Sequence, residues 1–210
     1  MAGCEDNMIK RLFFDLGSTL IDESACDEYR LRHMLAQPGA PERHLLEAKL
    51  REYSRKNMPP YKSALKEFGL EACRWPSDME KPYPGVAALL DALRGRYRLG
   101  IIANQNPGTV QRLEKYGISG FFDVITASAE EGIAKPDPEI FLRALKRADC
   151  RPDEAVMIGD RIDNDIIPAA KLGMHTIWVR QGMHRFADIS KFEILPEYTA
   201  QGICELTGLL

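Results

Sequence analysis

The 210-residue chain is poor in several features that mark common protein classes. No run approaches 18 consecutive apolar residues, so the sequence offers no membrane-spanning helix. It has no basic excess: 28 Lys and Arg face 31 Asp and Glu, for a net charge of −3. Without a basic stripe it carries no nucleic-acid footprint. The opening stretch MAGCEDNMIK is too polar for a secretory signal. Internal repeats and low-complexity tracts are absent. Five cysteines (Cys4, Cys26, Cys73, Cys150 and Cys204) are scattered without paired spacing. They read as reduced structural thiols of a cytoplasmic protein. His33, His44, His175 and His184 show no metal-ligand spacing and read as ordinary side chains.

What is present is an ordinary globular composition, 45% hydrophobic and 28% charged, in a length that suits one domain with a small insertion. KRLFFDL (10–16) reads as a short buried strand. Residues 24–70 are helical and polar, with Leu45, Leu46, Leu50 and Tyr53 at helical spacing, punctuated by Pro38, Gly39, Pro59, Pro60 and Gly69. After KPYPG (81–85) helix and strand alternate. RLGIIAN (98–104), FFDVITA (121–127), AVMIGD (155–160), HTIWV (175–179) and EYTAQ (197–201) read as strands. VAALLDALRGRY (86–97), PGTVQRLEKYG (107–117), DPEIFLRALKRA (137–148) and NDIIPAAKLG (164–173) read as helices, the third with Asp137 as N-cap and Pro138 at its first position. Strands separated by such helices form a parallel sheet covered on both faces. The expected fold is α/β, a Rossmann-like doubly wound core of residues 1–21 and 83–210. An inserted helical cap occupies residues 22–82.

In open parallel sheets, ligands sit beyond the carboxyl ends of the strands. The first strand delivers Asp15 there. IIAN delivers Ala103 and Asn104, and AVMIGD delivers Asp160 with Asp163 and Asp165 behind it. Between them, GIAKPDPEIF carries Lys135 before a proline and a helix start. This inventory suits phosphoryl transfer through a carboxylate nucleophile. Asp15 attacks phosphorus. Phosphate and carboxylate repel, so a hard divalent ion such as Mg²⁺ is expected between Asp15 and Asp160. Lys135 neutralises a further phosphate oxygen. Backbone N–H groups of the Leu16–Ser18 turn and of Asn104 hold the rest.

These residues resemble the haloacid dehalogenase superfamily, in the branch with a helical cap after the first motif. FFDLGSTL matches its first motif, with Asp15 as nucleophile, and RLGIIANQNP corresponds to its second. GIAKPDPEIF matches the lysine motif and MIGDRIDNDIIPAAKLGMHTIWV the fourth. The resemblance implies Asp160 as the metal acid and Asp165 as its supporting carboxylate. It also implies that the backbone carbonyl of residue 17 is a metal ligand, which Gly17 still supplies. The activity implied is hydrolysis of a small phosphorylated metabolite. No code for the substrate or the oligomeric state is legible.

Two positions depart from the family. Phosphatase members carry a second Asp two residues after the nucleophile, as the proton shuttle; here it is Gly17. General acid–base catalysis contributes about 10²–10⁴-fold, so the loss should be felt. Family members also place Ser or Thr where this chain has Ala103. Four readings follow. The first is a specialised Mg²⁺-dependent phosphatase that favours leaving groups needing no proton, or borrows an acid from Asp22 or Glu23. The second is a phosphonate-cleaving enzyme using a cap lysine among Lys49, Lys56, Lys62 and Lys66. The third is a dehalogenase, disfavoured because GDRIDND is retained. The fourth is a non-catalytic phosphate- or metal-binding protein.

Overall fold

The structure, a computed structural model, describes residues 8–210; Cys4 lies outside the described residues. β1 (Arg11–Phe14) is buried along its length, as a central strand of a two-faced sheet must be. After it the chain turns back through Ser18, whose N–H bonds to the Ile21 carbonyl at 2.9 Å. β2 (Ile21–Asp22) then leads into three helices, α1 (Ser24–Leu35), α2 (Arg43–Arg55) and α3 (Pro60–Phe68). β3 (Lys81–Pro82) returns antiparallel to β2, pairing Ile21 with Pro82 and Asp22 with Lys81.

From there the expected alternation appears. α4 (Val86–Arg94), β4 (Arg98–Ala103), α5 (Thr109–Lys115) and β5 (Val124–Ala127) run in sequence. α6 (Ser128–Glu131), α7 (Pro138–Arg147), β6 (Ala155–Gly159), α8 (Ile167–Lys171), β7 (His175–Val179), β8 (Tyr198–Ala200) and α9 (Leu206–Leu209) complete it. Six strands form one all-parallel sheet in the order β5-β4-β1-β6-β7-β8. β1 therefore sits where the strand order reverses, between β4 and β6, which is the switch point at which such sheets bind ligands.

Side chains alternate across this sheet with the two-residue period of a strand. Leu12, Phe14, Ile101, Val156 and Ile158 pack on one face with Leu89, Leu90 and Leu93 of α4 and Leu113 of α5. Phe13, Ile102 and Met157 pack on the other with Ile140, Phe141, Ala144 and Leu145 of α7. Gly100 makes room for this arrangement, since a Cβ there would lie 2.7 Å from the Phe13 ring.

α1–α3 have their own apolar cluster: Leu31, Met34, Leu46, Leu50, Tyr61, Ala64 and Leu70. α2 also reaches the turn after β7, where the Ser54 hydroxyl donates to the Met183 carbonyl at 2.7 Å. α7 begins as expected, Asp137 accepting from the Glu139 N–H at 2.9 Å with Pro138 following. NDIIPAAKLG differs from its reading as one helix. Residues 162–166 form a wide π-type turn, and α8 starts only at Ile167. Pro168 has no N–H to donate, so it suits the first turn of a helix and not its interior.

Candidate active site

Asp15 continues the β1–β6 ladder by one bond, its N–H donating to the Ile158 carbonyl at 2.9 Å. The ladder thus fixes the carboxyl at the strand's end. Asp160 leaves the neighbouring strand β6 at the same level, and its own carbonyl is tied down by the Trp178 indole N–H at 2.8 Å. The wide turn after β6 brings Asp165 back over Gly159, where any Cβ would overlap the Asp165 carboxylate. Carboxylate oxygens of Asp15, Asp160 and Asp165 all lie within 4.8 Å of one another, and all three residues are buried.

Lys135 arrives from the segment before α7. Its Nζ donates to Asp15 Oδ1 and Asp165 Oδ1, each at 2.6 Å, and to the Ile102 carbonyl at 2.8 Å. Those three bonds use all three protons of the ammonium. Burial opposes its charge, but Asp15 and Asp165 outweigh burial and raise its pKa above the ordinary lysine value. The main chain of Lys135 is held as firmly. The Asn104 amide donates to the Lys135 carbonyl and accepts from its N–H, both at 2.8 Å. The Asn104 side chain is therefore spent on placing Lys135, and only its backbone remains to offer a phosphate.

Asp165 has both oxygens engaged, Oδ1 by Lys135 and Oδ2 by the Arg161 N–H at 2.9 Å. It can orient the lysine and the turn, while Asp15 and Asp160 remain to hold an ion. Burial pushes the Asp160 carboxyl well above the usual range, and the charges of Asp15 and Asp165 push it further. The cavity in front of these groups, about 240 Å³, is lined by four acids (Asp15, Glu23, Asp160 and Asp165) but by only Lys135 and Arg161 as cations. Arg161 is itself paired with Asp163 at 2.6 Å. Hard oxygen ligands in excess of positive charge fit a divalent cation.

The structure brings together Asp15, Gly17, Asn104, Lys135, Asp160 and Asp165 on one cavity. Ser18, expected among the phosphate donors, is placed otherwise. Its N–H bonds to Ile21 and its hydroxyl donates to Glu23 Oε2 at 2.9 Å. The sharp turn, with Ser18 at φ 55°, consumes the polar groups that a sequence reading assigns to the ligand. His184, read as an ordinary side chain, also lines the cavity. Burial, and then the Arg161 charge, lower its pKa to about 4. No local pattern could have found it, because it reaches the site from a turn after β7.

The space beside Gly17 is filled by Glu23. A Cβ built on Gly17 would lie 2.6 Å from Glu23 Oε1 and 3.1 Å from its Cδ and Oε2. Burial raises the Glu23 pKa to about 8, the Ser18 hydrogen bond opposing and the Asp15 charge adding to it. Asp22, the other candidate acid, is used locally and accepts from the Ser24 N–H at 2.9 Å.

The fold and site define a class, and the comparisons agree with it. Residues 9–173 match the family model described as haloacid dehalogenase-like hydrolase, and the chain belongs to that family of hydrolases. It is 31% identical to a glyceraldehyde 3-phosphate phosphatase of Pyrococcus furiosus, with 96% of this chain and 92% of that one covered. It is 28% identical to a phosphoglycolate phosphatase of Agrobacterium fabrum, covering 94% and 90%. Among solved structures it resembles the putative HAD-hydrolase YfnB of Bacillus subtilis bound to magnesium, with a TM-score of 0.72 at 23% identity over 97% of this chain and 99% of that one.

Proposed function

We propose that this chain is a Mg²⁺-dependent phosphatase that cleaves a small phosphorylated metabolite through an aspartyl-phosphate on Asp15. The observation that carries this reading is the meeting of Asp15 and Asp165 on one buried ammonium, with the Asp160 carboxylate within 4.8 Å of both, at the switch point of a parallel sheet. Phosphatase names among relatives that match nearly the whole chain support it.

In this reading Asp15 and Asp160, with the Gly17 carbonyl, hold the ion, and Asp165 supports them. When bound, Mg²⁺ supplies the positive charge that lets an anionic nucleophile approach an anionic phosphate. Lys135 fixes the rotamer of Asp15 and offers positive charge to the transferring phosphoryl group. Asn104 keeps that lysine in place and presents its backbone to the phosphate. Asp15 attacks phosphorus, the bond to the leaving oxygen breaks, and water then releases phosphate from the acyl phosphate. Residues 22–82 act as a cap over a core of residues 1–21 and 83–210, so that substrate selection falls to α1–α3. The described cysteines, Cys26, Cys73, Cys150 and Cys204, are all free thiols. They suit a reducing cytoplasm, which cell fractionation tests.

The test is a trapping experiment. Acetyl phosphate with Mg²⁺ should give an acid-stable, hydroxylamine-labile phosphoprotein in the wild type and none in Asp15→Asn. Simple phosphate esters should turn over with Mg²⁺ and stop with chelator. Undiminished turnover by Asp15→Asn would sink the proposal. Mg²⁺-dependent binding of beryllium fluoride without any turnover would instead favour a non-catalytic binding protein.

A phosphonate-cleaving reading keeps one foothold. Of the four lysines weighed for this role, Lys62 lines a cavity of about 210 Å³ that also touches Glu23, Arg161 and His184. Lys49 is paired with Glu52 and Glu67, and Lys56 with Glu52. Borohydride trapping of phosphonoacetaldehyde on Lys62 tests it.

A further inference from the structure

We infer that Glu23 is the general acid and base of this enzyme, its carboxyl standing in the space that a side chain at position 17 would occupy. This rests on the phosphatase reading above and adds to it the group that moves the proton.

Asp15 presents its carboxyl to the cavity, and the proton donor of a phosphate-ester cleavage must stand beside it on the leaving-group side. Residue 17 is a glycine and has no side chain to donate a proton. The first side-chain atom of any other residue there would come within 2.6 Å of Glu23 Oε1. One carboxyl thus fills the place of another, delivered from six residues later in the chain. The turn that delivers it is closed by the Ser18–Ile21 backbone bond and by a bridge between Gly17 and Ile21. Ser18 then holds Glu23 Oε2 and leaves Oε1, the oxygen nearest position 17, without a hydrogen-bond partner among the described residues. Glu23 lines the same cavity as Asp15, Lys135 and Asp160. Apart from the three clustered aspartates, it is the one carboxylic acid that does so among the described residues.

The proton balance closes over two steps. As Asp15 attacks phosphorus, the ester P–O bond breaks and its electron pair goes to the leaving oxygen, which takes the Glu23 proton and departs as the alcohol. Glu23, now a carboxylate, takes a proton from water while that water's oxygen attacks the aspartyl-phosphate. The P–O bond to Asp15 breaks, phosphate leaves, and Asp15 carboxylate and Glu23 acid are both restored.

The test compares leaving groups. Glu23→Gln keeps the shape and removes the transferable proton. Phosphorylation of Asp15 by glycerol 2-phosphate, whose alkoxide needs a proton, should fall by about 10²-fold or more. Phosphorylation by acetyl phosphate, whose acetate needs none, should fall far less. Across a series of aryl and alkyl esters, the dependence of rate on leaving-group pKa should steepen, which a merely structural role would not produce. The double variant Gly17→Asp with Glu23→Ala should recover part of the glycerol 2-phosphate rate that Glu23→Ala loses. Equal losses on both substrates, or an unimpaired Glu23→Gln, overturn the assignment while leaving the phosphatase reading intact. A wild-type protein that forms no phosphoenzyme from either substrate overturns both.

Discussion

Lys135 shows how much one residue can be asked to do. Its ammonium is buried, faces two carboxylates at 2.6 Å, and spends its third proton on the Ile102 carbonyl. Truncating one partner of such a cluster leaves the others charged and unpaired, typically at a cost of several kcal/mol. Lys135→Met should therefore destabilise the metal-free protein by roughly 3–5 kcal/mol in a denaturant titration with chelator present. It should also abolish phosphoenzyme formation from acetyl phosphate. A variant as stable as wild type would mean that the two aspartates do not depend on this lysine for their charge. Gly17 illustrates the opposite economy. Restoring Asp at this position alone does not simply add a proton shuttle, because the new side chain meets Glu23 at once.

At the scale of elements, the sheet is held in register by alternation, and a glycine marks one of its tight points. Gly100 on β4 lies opposite Phe13 on β1, and a methyl group there would press on the ring at 2.7 Å and approach the Val124 carbonyl at 3.2 Å. Gly100→Ala should cost about 1–3 kcal/mol as an overpacked core, read as a lowered denaturation midpoint with an unchanged m-value. Combining Phe13→Leu with Gly100→Ala should return part of it. The same scale shows what the sequence could and could not reveal. Strands buried on both faces are written as apolar runs, so FFD, IIAN and MIGD announce both themselves and the polar residue each carries to the ligand end. That is why Asp15, Asn104 and Asp160 were legible, and Lys135 with them through its motif. Glu23 was named only alongside Asp22, because the sequence does not show which acid the turn aims at the site, while Arg161 and His184 come from turns whose direction is set by contacts far along the chain. Ser18 misled for a related reason, since a tight turn uses its own N–H and hydroxyl groups internally. The bend before α8 was legible in principle from Pro168, which suits the first turn of a helix and not its interior.

For the molecule as a whole, the relation between acidity and stability runs through the same cavity. His184 faces Arg161 and Asp163, and its pKa falls from 6.5 to about 4 on folding. Between those values the unfolded chain binds a proton that the folded chain refuses, so this residue withdraws stability as pH falls from about 6.5 toward 4. Glu23 works the other way. Its pKa is raised from 4.5 to about 8, so its contribution is lost as pH rises through that window. The two effects oppose each other in the wild type, and the difference between variants separates them. Denaturation of His184→Gln at pH 7 and at pH 5 should show less loss on acidification than wild type does. An identical pH dependence in the two proteins would contradict the shift.

The short ribbon of β2 and β3 is the covalent connection between the sheet and α1–α3, and Asp15 and Glu23 stand on opposite sides of it. An acid two residues from its nucleophile would ride on the same rigid mount. Here the carboxyl comes from the root of α1 but is tied back to the turn after β1 by the Ser18 hydroxyl at 2.9 Å. In the proposed mechanism the aim of the proton donor is therefore set by a hydroxyl in the nucleophile's own turn.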